Sequence, residues 1–198
     1  GIHVRYDGIV PQPGSFIAPN HLGYTDVIAL GAVVKCFFVA KRDIEHWPFI
    51  GLLFRVTEQI GVPRGRSHCL LDAYQKINER LKDRQSVCVF LEGTSTGGSE
   101  VREFHGALLQ VAINAAAPVV PTAIRWQSDS DDMDIAEDVA YWKDHAFVPH
   151  LWRLLGLRGI NVLITFGRPI SSAAYDRKAL AKTARQEVVK LLDLPAGA

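Results

Sequence analysis

Ser86-Val87-Cys88-Val89-Phe90-Leu91-Glu92-Gly93-Thr94 is an apolar run of strand length that ends directly in a carboxylate, a glycine and a hydroxyl residue. A strand with one wet face alternates apolar and polar residues, whereas one that is apolar throughout is covered on both faces. The same pattern recurs in CFFVA at 36–40, PVVPTAI at 118–124 and INVLITF at 160–166. Helical stretches lie between these runs. TDVIALGAVV, from Thr25, is helical in composition, and so is the segment over 105–116. From Ser67, a plausible cap, the positions Leu70, Leu71, Tyr74, Ile77 and Leu81 fall on one face of a 3.6-residue period. Leu180, Ala184, Val188 and Leu191 do the same near the end. Residues 48–55 read as a further helix, and TEQIGV leads into a turn at Pro63-Arg64-Gly65. HVRYDGIV, from His3, and SFIAP, from Ser15, flank a turn carrying Pro11, Pro13 and Gly14, as two strands would. The alternation predicts an α/β fold, a mainly parallel sheet with helices on both faces, as one domain over 1–198.

Composition narrows the function. A net charge of +1 argues against a nucleic-acid binder, which carries a basic excess. Cys36, Cys69 and Cys88 sit in apolar stretches without metal-ligand spacing, and read as small buried hydrophobes of a reducing compartment. No run approaches the length of a spanning helix. The chain begins at Gly1 with no methionine and no leader, so we expect a preceding, membrane-anchoring segment to be missing. The acidic run 128–138 reads as a solvated loop. FVPHLWRLLGLR, from Phe147, is expected to pack on the sheet, with a membrane-interface position as the alternative. WPFIGLLF at 47–54 is a second candidate for contact with lipid or an acyl chain.

In folds of this class the active groups gather in loops beyond the strand ends. Two such loops are chemically loaded. The first is Asn20-His21-Leu22-Gly23-Tyr24-Thr25-Asp26. On one continuous helix His21 and Asp26 would stand about 140° apart. They meet only if His21 lies in the turn and Asp26 in the first turn of the next helix. There a carboxylate is favoured by the helix dipole, and it can accept an imidazole N–H and leave the other nitrogen as a general base. Taken alone, this spacing better describes a capping Asp beside an unrelated loop His. The second loop, from Glu92 to Gly98, offers a carboxylate, hydroxyls and close backbone N–H groups. A flexible strand-to-helix connection is its plainer reading. Phosphate-loop, dinucleotide and serine-elbow signatures are all missing. A His/Asp pair without a protein nucleophile points to direct attack by a substrate hydroxyl.

Four blocks, in order, resemble the glycerolipid acyltransferases that include 1-acylglycerol-3-phosphate acyltransferase. Asn20 to Asp26 is similar to NHxSxxD. Ala40-Lys41-Arg42 through Pro48, and Gly51 to Arg64, resemble the second block. Glu92-Gly93-Thr94 matches the core of FPEGTRS, and Val119-Val120-Pro121 the fourth block. The likeness extends over about 3–169. It implies His21 as general base and Asp26 as its orienting partner. Lys41 and Arg64 would contact an anionic headgroup, and Glu92, Gly93 and Thr94 would shape the glycerol site. It implies no cofactor and no metal: acyl-CoA or acyl-carrier protein is a donor substrate, and a lysolipid the acceptor. The place of action would be the cytoplasmic face of a membrane, with a peripheral or anchored attachment. Three positions depart from the pattern. Gly23 replaces serine, Leu91 replaces proline, and Ser95 stands where the family has an arginine. Either Arg64, Arg66 or Arg102 takes over that cation's role, or the acceptor is not a simple phosphomonoester.

The expected reaction is therefore acyl transfer to the free hydroxyl of a lysolipid, 1-acylglycerol-3-phosphate before others, with no acyl-enzyme. Backbone donors near Gly93, or at the helix entered at Gly23, would hold the oxyanion. Alternatives are another acceptor such as lyso-ornithine lipid, a thioesterase or transacylase, and a catalytically silent lipid-binding protein.

Overall fold

The computed structural model describes residues 1–41, 51–52, 56–62, 67–130, 132–143 and 145–194, with the side chains of 41 and 67–70 left out. Among them are strands β1 (Ile2–Asp7), β2 (Phe16–Pro19), β3 (Cys36–Lys41), β4 (Ile60–Val62), β5 (Ser86–Val89), β6 (Val119–Ser128) and β7 (Ile160–Phe166). The helices are α1 (Tyr24–Gly31), α2 (Ser67–Lys82), α3 (Leu109–Asn114), α4 (Phe147–Gly156) and α5 (Arg177–Leu191). One sheet of order β1-β7-β6-β2-β5-β3-β4 holds all seven strands. Every pairing is parallel except β6 with β7. The expected mainly parallel sheet is present.

The period of two along each central strand divides the core into two layers. Phe16, Ala18, Val87, Val89, Val119 and Ala123 face a layer closed by α2, α3 and α5, with Ile77, Leu109, Leu180 and Val188 packed into it. Ile17, Cys88, Val120 and Ile124 face the other layer, where α1 and α4 contribute Leu30 and Leu154. The two-sided cover is why these strands read as continuous apolar runs. Burying a Leu- or Phe-sized side chain contributes about 1.5–3 kcal/mol, so these layers dominate the stability.

Several details differ from the sequence reading. β1 and β2 do not pair: β1 is the exposed edge beside β7, and β2 sits between β6 and β5. Leu71 lies in α2 but is 58% exposed, and the buried face of that helix runs through Ala73, Ile77 and Leu81. The helix expected at 105–116 is shorter, because Gly106 to Leu108 form a turn before Leu109. Ile60–Val62 adds a short edge strand on β3, in the stretch read as leading only to a turn. The helix expected at 48–55 falls almost wholly outside the described residues. α4 buries only His150 and Leu154, while Val148, Trp152 and Leu155 are exposed, so it packs far less closely than expected.

Candidate active site

β2 and β5 are parallel neighbours, so the loops that leave their C-terminal ends emerge at one edge of the sheet, side by side. The β2 ladder with β6 stops at Pro19↔Thr122. Just beyond, the Asn20 side chain donates to the Ile124 carbonyl at 3.0 Å and accepts from the Ile124 N–H at 2.7 Å. A side-chain amide here replaces one rung of the ladder. It lets β2 turn away without stranding buried main-chain groups.

That turn carries His21 out of the strand, and Gly23 opens α1. His21 Nδ1 and Asp26 Oδ2 are 2.9 Å apart, with Asp26 fully buried in the first turn of the helix. Two main-chain N–H groups, of Leu22 at 2.6 Å and Gly23 at 2.9 Å, donate to the same oxygen. Trp126 Nε1 donates to the other oxygen at 2.8 Å. Four N–H donors thus fix one carboxylate, and the carboxylate fixes the imidazole. The Phe90 ring stacks on the imidazole with centroids 3.9 Å apart, leaving Nε2 as the ring nitrogen turned away from Asp26.

Glu92 joins the two loops from beneath. Its Oε1 accepts from the His21 N–H and its Oε2 from the Arg102 N–H, each at 2.8 Å. It is 3% exposed, and burial pushes its pKa from the ordinary 4.5 to about 7 against the pull of those two donors. Thr96 N–H donates to the His21 carbonyl at 2.9 Å, a second tie between the loops. The Gly93 N–H is engaged with the Phe90 carbonyl at 3.1 Å, and the Gly23 N–H with Asp26. Neither is therefore an open oxyanion donor. Thr94 is half-buried at the start of the same loop. Lys41 ends β3, with its main chain in register with Val62, and Arg64 lies outside the described residues. So the structure brings His21, Asp26, Glu92, Gly93 and Thr94 to one place and leaves the two expected headgroup cations undescribed.

Two participants were not singled out from sequence. Trp126 lies two residues beyond the apolar core of its strand, on the parity that faces α1, and that parity was the available signal. Phe90 was quoted only as part of a strand.

The family model described as Acyltransferase matches residues 2–125, nearly all of the strands and loops that build this arrangement. A lyso-ornithine lipid O-acyltransferase of Pseudomonas aeruginosa is 34% identical over 93% of this chain and 70% of its own length. The chain belongs to the Acyltransferase family. It is an O-acyltransferase of the glycerolipid type. Among further relatives, a 1-acyl-sn-glycerol-3-phosphate acyltransferase of Neisseria gonorrhoeae is 27% identical over 84% of the chain and 65% of its own length. The solved structure of the 1-acyl-sn-glycerophosphate (LPA) acyltransferase PlsC from Thermotoga maritima has the same fold. Its TM-score is 0.68 at 19% identity, over 96% of this chain and 71% of that one.

Proposed function

We propose that this acyltransferase moves a fatty acyl group from a thioester, acyl-CoA or acyl-carrier protein, to the hydroxyl of a lysolipid, with His21 as general base. The 2.9 Å contact from Asp26 to His21 Nδ1 carries the reading, because it aims Nε2 outward. Nε2 takes the hydroxyl proton as the oxygen attacks the thioester carbonyl. The tetrahedral intermediate then expels the thiolate, which recovers that proton from the imidazolium, so no group on the enzyme is acylated. Glu92, with both oxygens held by main-chain donors, acts by bracing the His21 loop rather than by touching substrate.

Between acceptors, two observations favour lyso-ornithine lipid over 1-acylglycerol-3-phosphate. Ser95 offers no planar cation for a phosphomonoester. The relative at 34% identity acts, by its name, on lyso-ornithine lipid. No described helix is long and apolar enough to cross a membrane. Contact with a bilayer is instead assigned to α4, which exposes Val148, Trp152 and Leu155 at helical spacing. Exposed Arg158, just past the helix, suits anionic headgroups, while Arg153 is ion-paired with Asp138. On its inner side, His150 Nδ1 contacts the Tyr24 hydroxyl at 2.9 Å, tying the helix to the first residue of α1.

The deciding assay is a matrix of lysolipid acceptors against labelled acyl-CoA and acyl-carrier protein. Acylated lyso-ornithine lipid as the main product is expected. Free fatty acid formed equally without an acceptor would replace this reading with a thioesterase.

A further inference from the structure

Gly23 in the first loop and Ser95 in the second both meet one residue, Tyr141, which lies beyond the matched region 2–125. The Tyr141 N–H donates to the Leu22 carbonyl at 2.8 Å. Its carbonyl accepts from Ser95 Oγ at 2.5 Å. One residue's main chain is therefore bonded to the His21 loop on one side and to the Glu92 loop on the other. A Cβ at position 23 would stand 2.8 Å from both the Tyr141 backbone nitrogen and its Cβ, closer than real Cβ atoms approach anything. A Cβ at position 97 would stand 2.8 Å from Trp142 Cζ2. The segment itself is anchored: Trp142 Nε1 donates to the Ala136 carbonyl at 2.8 Å, and Lys143 Nζ lies 3.8 Å over the Trp142 ring.

We propose that Tyr141 and Trp142 form a strap that sets the spacing of the two catalytic loops, and that Gly23, Ser95 and Gly97 are its seat. The strap acts on the reaction through His21, as a positioning element that makes no contact with substrate. On this reading Gly23 and Ser95 serve one element. The first clears room for the strap and the second bonds it. The inference rests on the acyl-transfer role of His21 given above.

A bump-and-hole pair tests it in the full chain. Gly97→Ala should collide with the Trp142 ring and lower kcat at least tenfold, with the acidic limb of the pH–rate profile displaced. Adding Trp142→Leu removes the struck atoms and should bring kcat to within threefold of Trp142→Leu alone, restoring the profile. Gly23→Ala strikes main chain instead, so Trp142→Leu should not rescue it. Ser95→Ala, which deletes one oxygen, should lower kcat about threefold and speed hydrogen exchange in the peptide containing Tyr141. Full turnover in Gly97→Ala would overturn the strap, as would a Gly97→Ala/Trp142→Leu enzyme that melts like wild type yet is no better than Gly97→Ala. Should Gly97→Ala fail to fold, unchanged kcat and exchange in Ser95→Ala would overturn it equally. A wild-type enzyme inactive on every acceptor would instead remove the acyl-transfer reading, and the exchange of Tyr141 would still report on the strap.

Discussion

Trp126 donates its indole N–H to Asp26 Oδ1 at 2.8 Å across 100 residues of sequence. Asp26 Oδ2 is thereby left to His21 and the two main-chain donors of the turn. Trp126→Phe keeps most of the ring volume and removes the donor. A hydrogen bond to a charged group is worth about 1.5–3 kcal/mol, and its loss should appear as a lower melting temperature. Turnover should fall several-fold as Asp26 gains freedom. A variant with wild-type kcat would show that the other three donors suffice.

His21→Ala should lower acyl transfer by roughly 10²–10⁴-fold, the usual scale of general-base catalysis, with the fold intact. Asp26→Asn should also lose turnover, and should lose stability in addition. Its amide nitrogen cannot accept from Leu22, Gly23 or Trp126, so a buried donor is left unmet at a cost of about 1–3 kcal/mol. Retention of a tenth of wild-type turnover in His21→Ala would remove it from the base role.

The raised pKa of Glu92, about 7, makes a signed prediction. Between the unfolded value near 4.5 and about 7 the folded chain holds a proton that the unfolded chain has released. Its contribution to stability is therefore full below the lower value and is lost as pH rises through about 7. Melting curves of wild type and Glu92→Gln across pH 5–8 should converge as pH rises, because wild type loses this contribution. The variant lacks this slope but starts lower, because an amide cannot accept from both His21 and Arg102. Parallel curves would mean that Glu92 titrates normally.

Acceptor choice should respond to position 95. Ser95→Arg supplies a bidentate cation and should lower KM for lysophosphatidic acid relative to lyso-ornithine lipid. Because it also breaks the bond to Tyr141, kcat should fall at the same time. Steady-state kinetics on both acceptors separate the two effects. A wild type that strictly prefers lysophosphatidic acid, with no gain from the variant, would direct attention to Arg66 and Arg102.

Vesicle binding should depend on α4. Weak cosedimentation with anionic liposomes is expected of wild type. Replacing Trp152 and Leu155 together by Ser should weaken it several-fold while activity on micellar lysolipid persists. Equal binding by both forms would place the membrane contact elsewhere.

The sheet and the pairing of His21 with Asp26 were legible because both follow from local pattern. Strands covered on two sides show it in every residue, and a carboxylate three residues past a glycine entry has few places to go. What escaped is long-range. Nothing near Trp126 marks it as a donor to Asp26, and nothing in Tyr141 announces two loops that lie 46 and 119 residues before it. Leu71 misled because periodicity defines a stripe without saying how wide a strip of it the sheet covers. β1 and β2 misled in a different way: adjacency along the chain suggested a hairpin, while β1 finds its partner in β7.

That last pairing fixes the order in which the molecule can be completed. Ile2–Asp7 bonds only to Ile160–Phe166 among the described strands, so this strand has no described partner until β7 has been made. During synthesis, at about 5–20 residues per second, β1 must wait about 8–30 s with its edge unpaired. Its six exposed residues, with Arg5 and Asp7 among them, suit that wait, since charge on a free edge discourages pairing with other chains. Nascent chains halted before residue 160 should leave this strand open to protease, and chains released after residue 166 should close it.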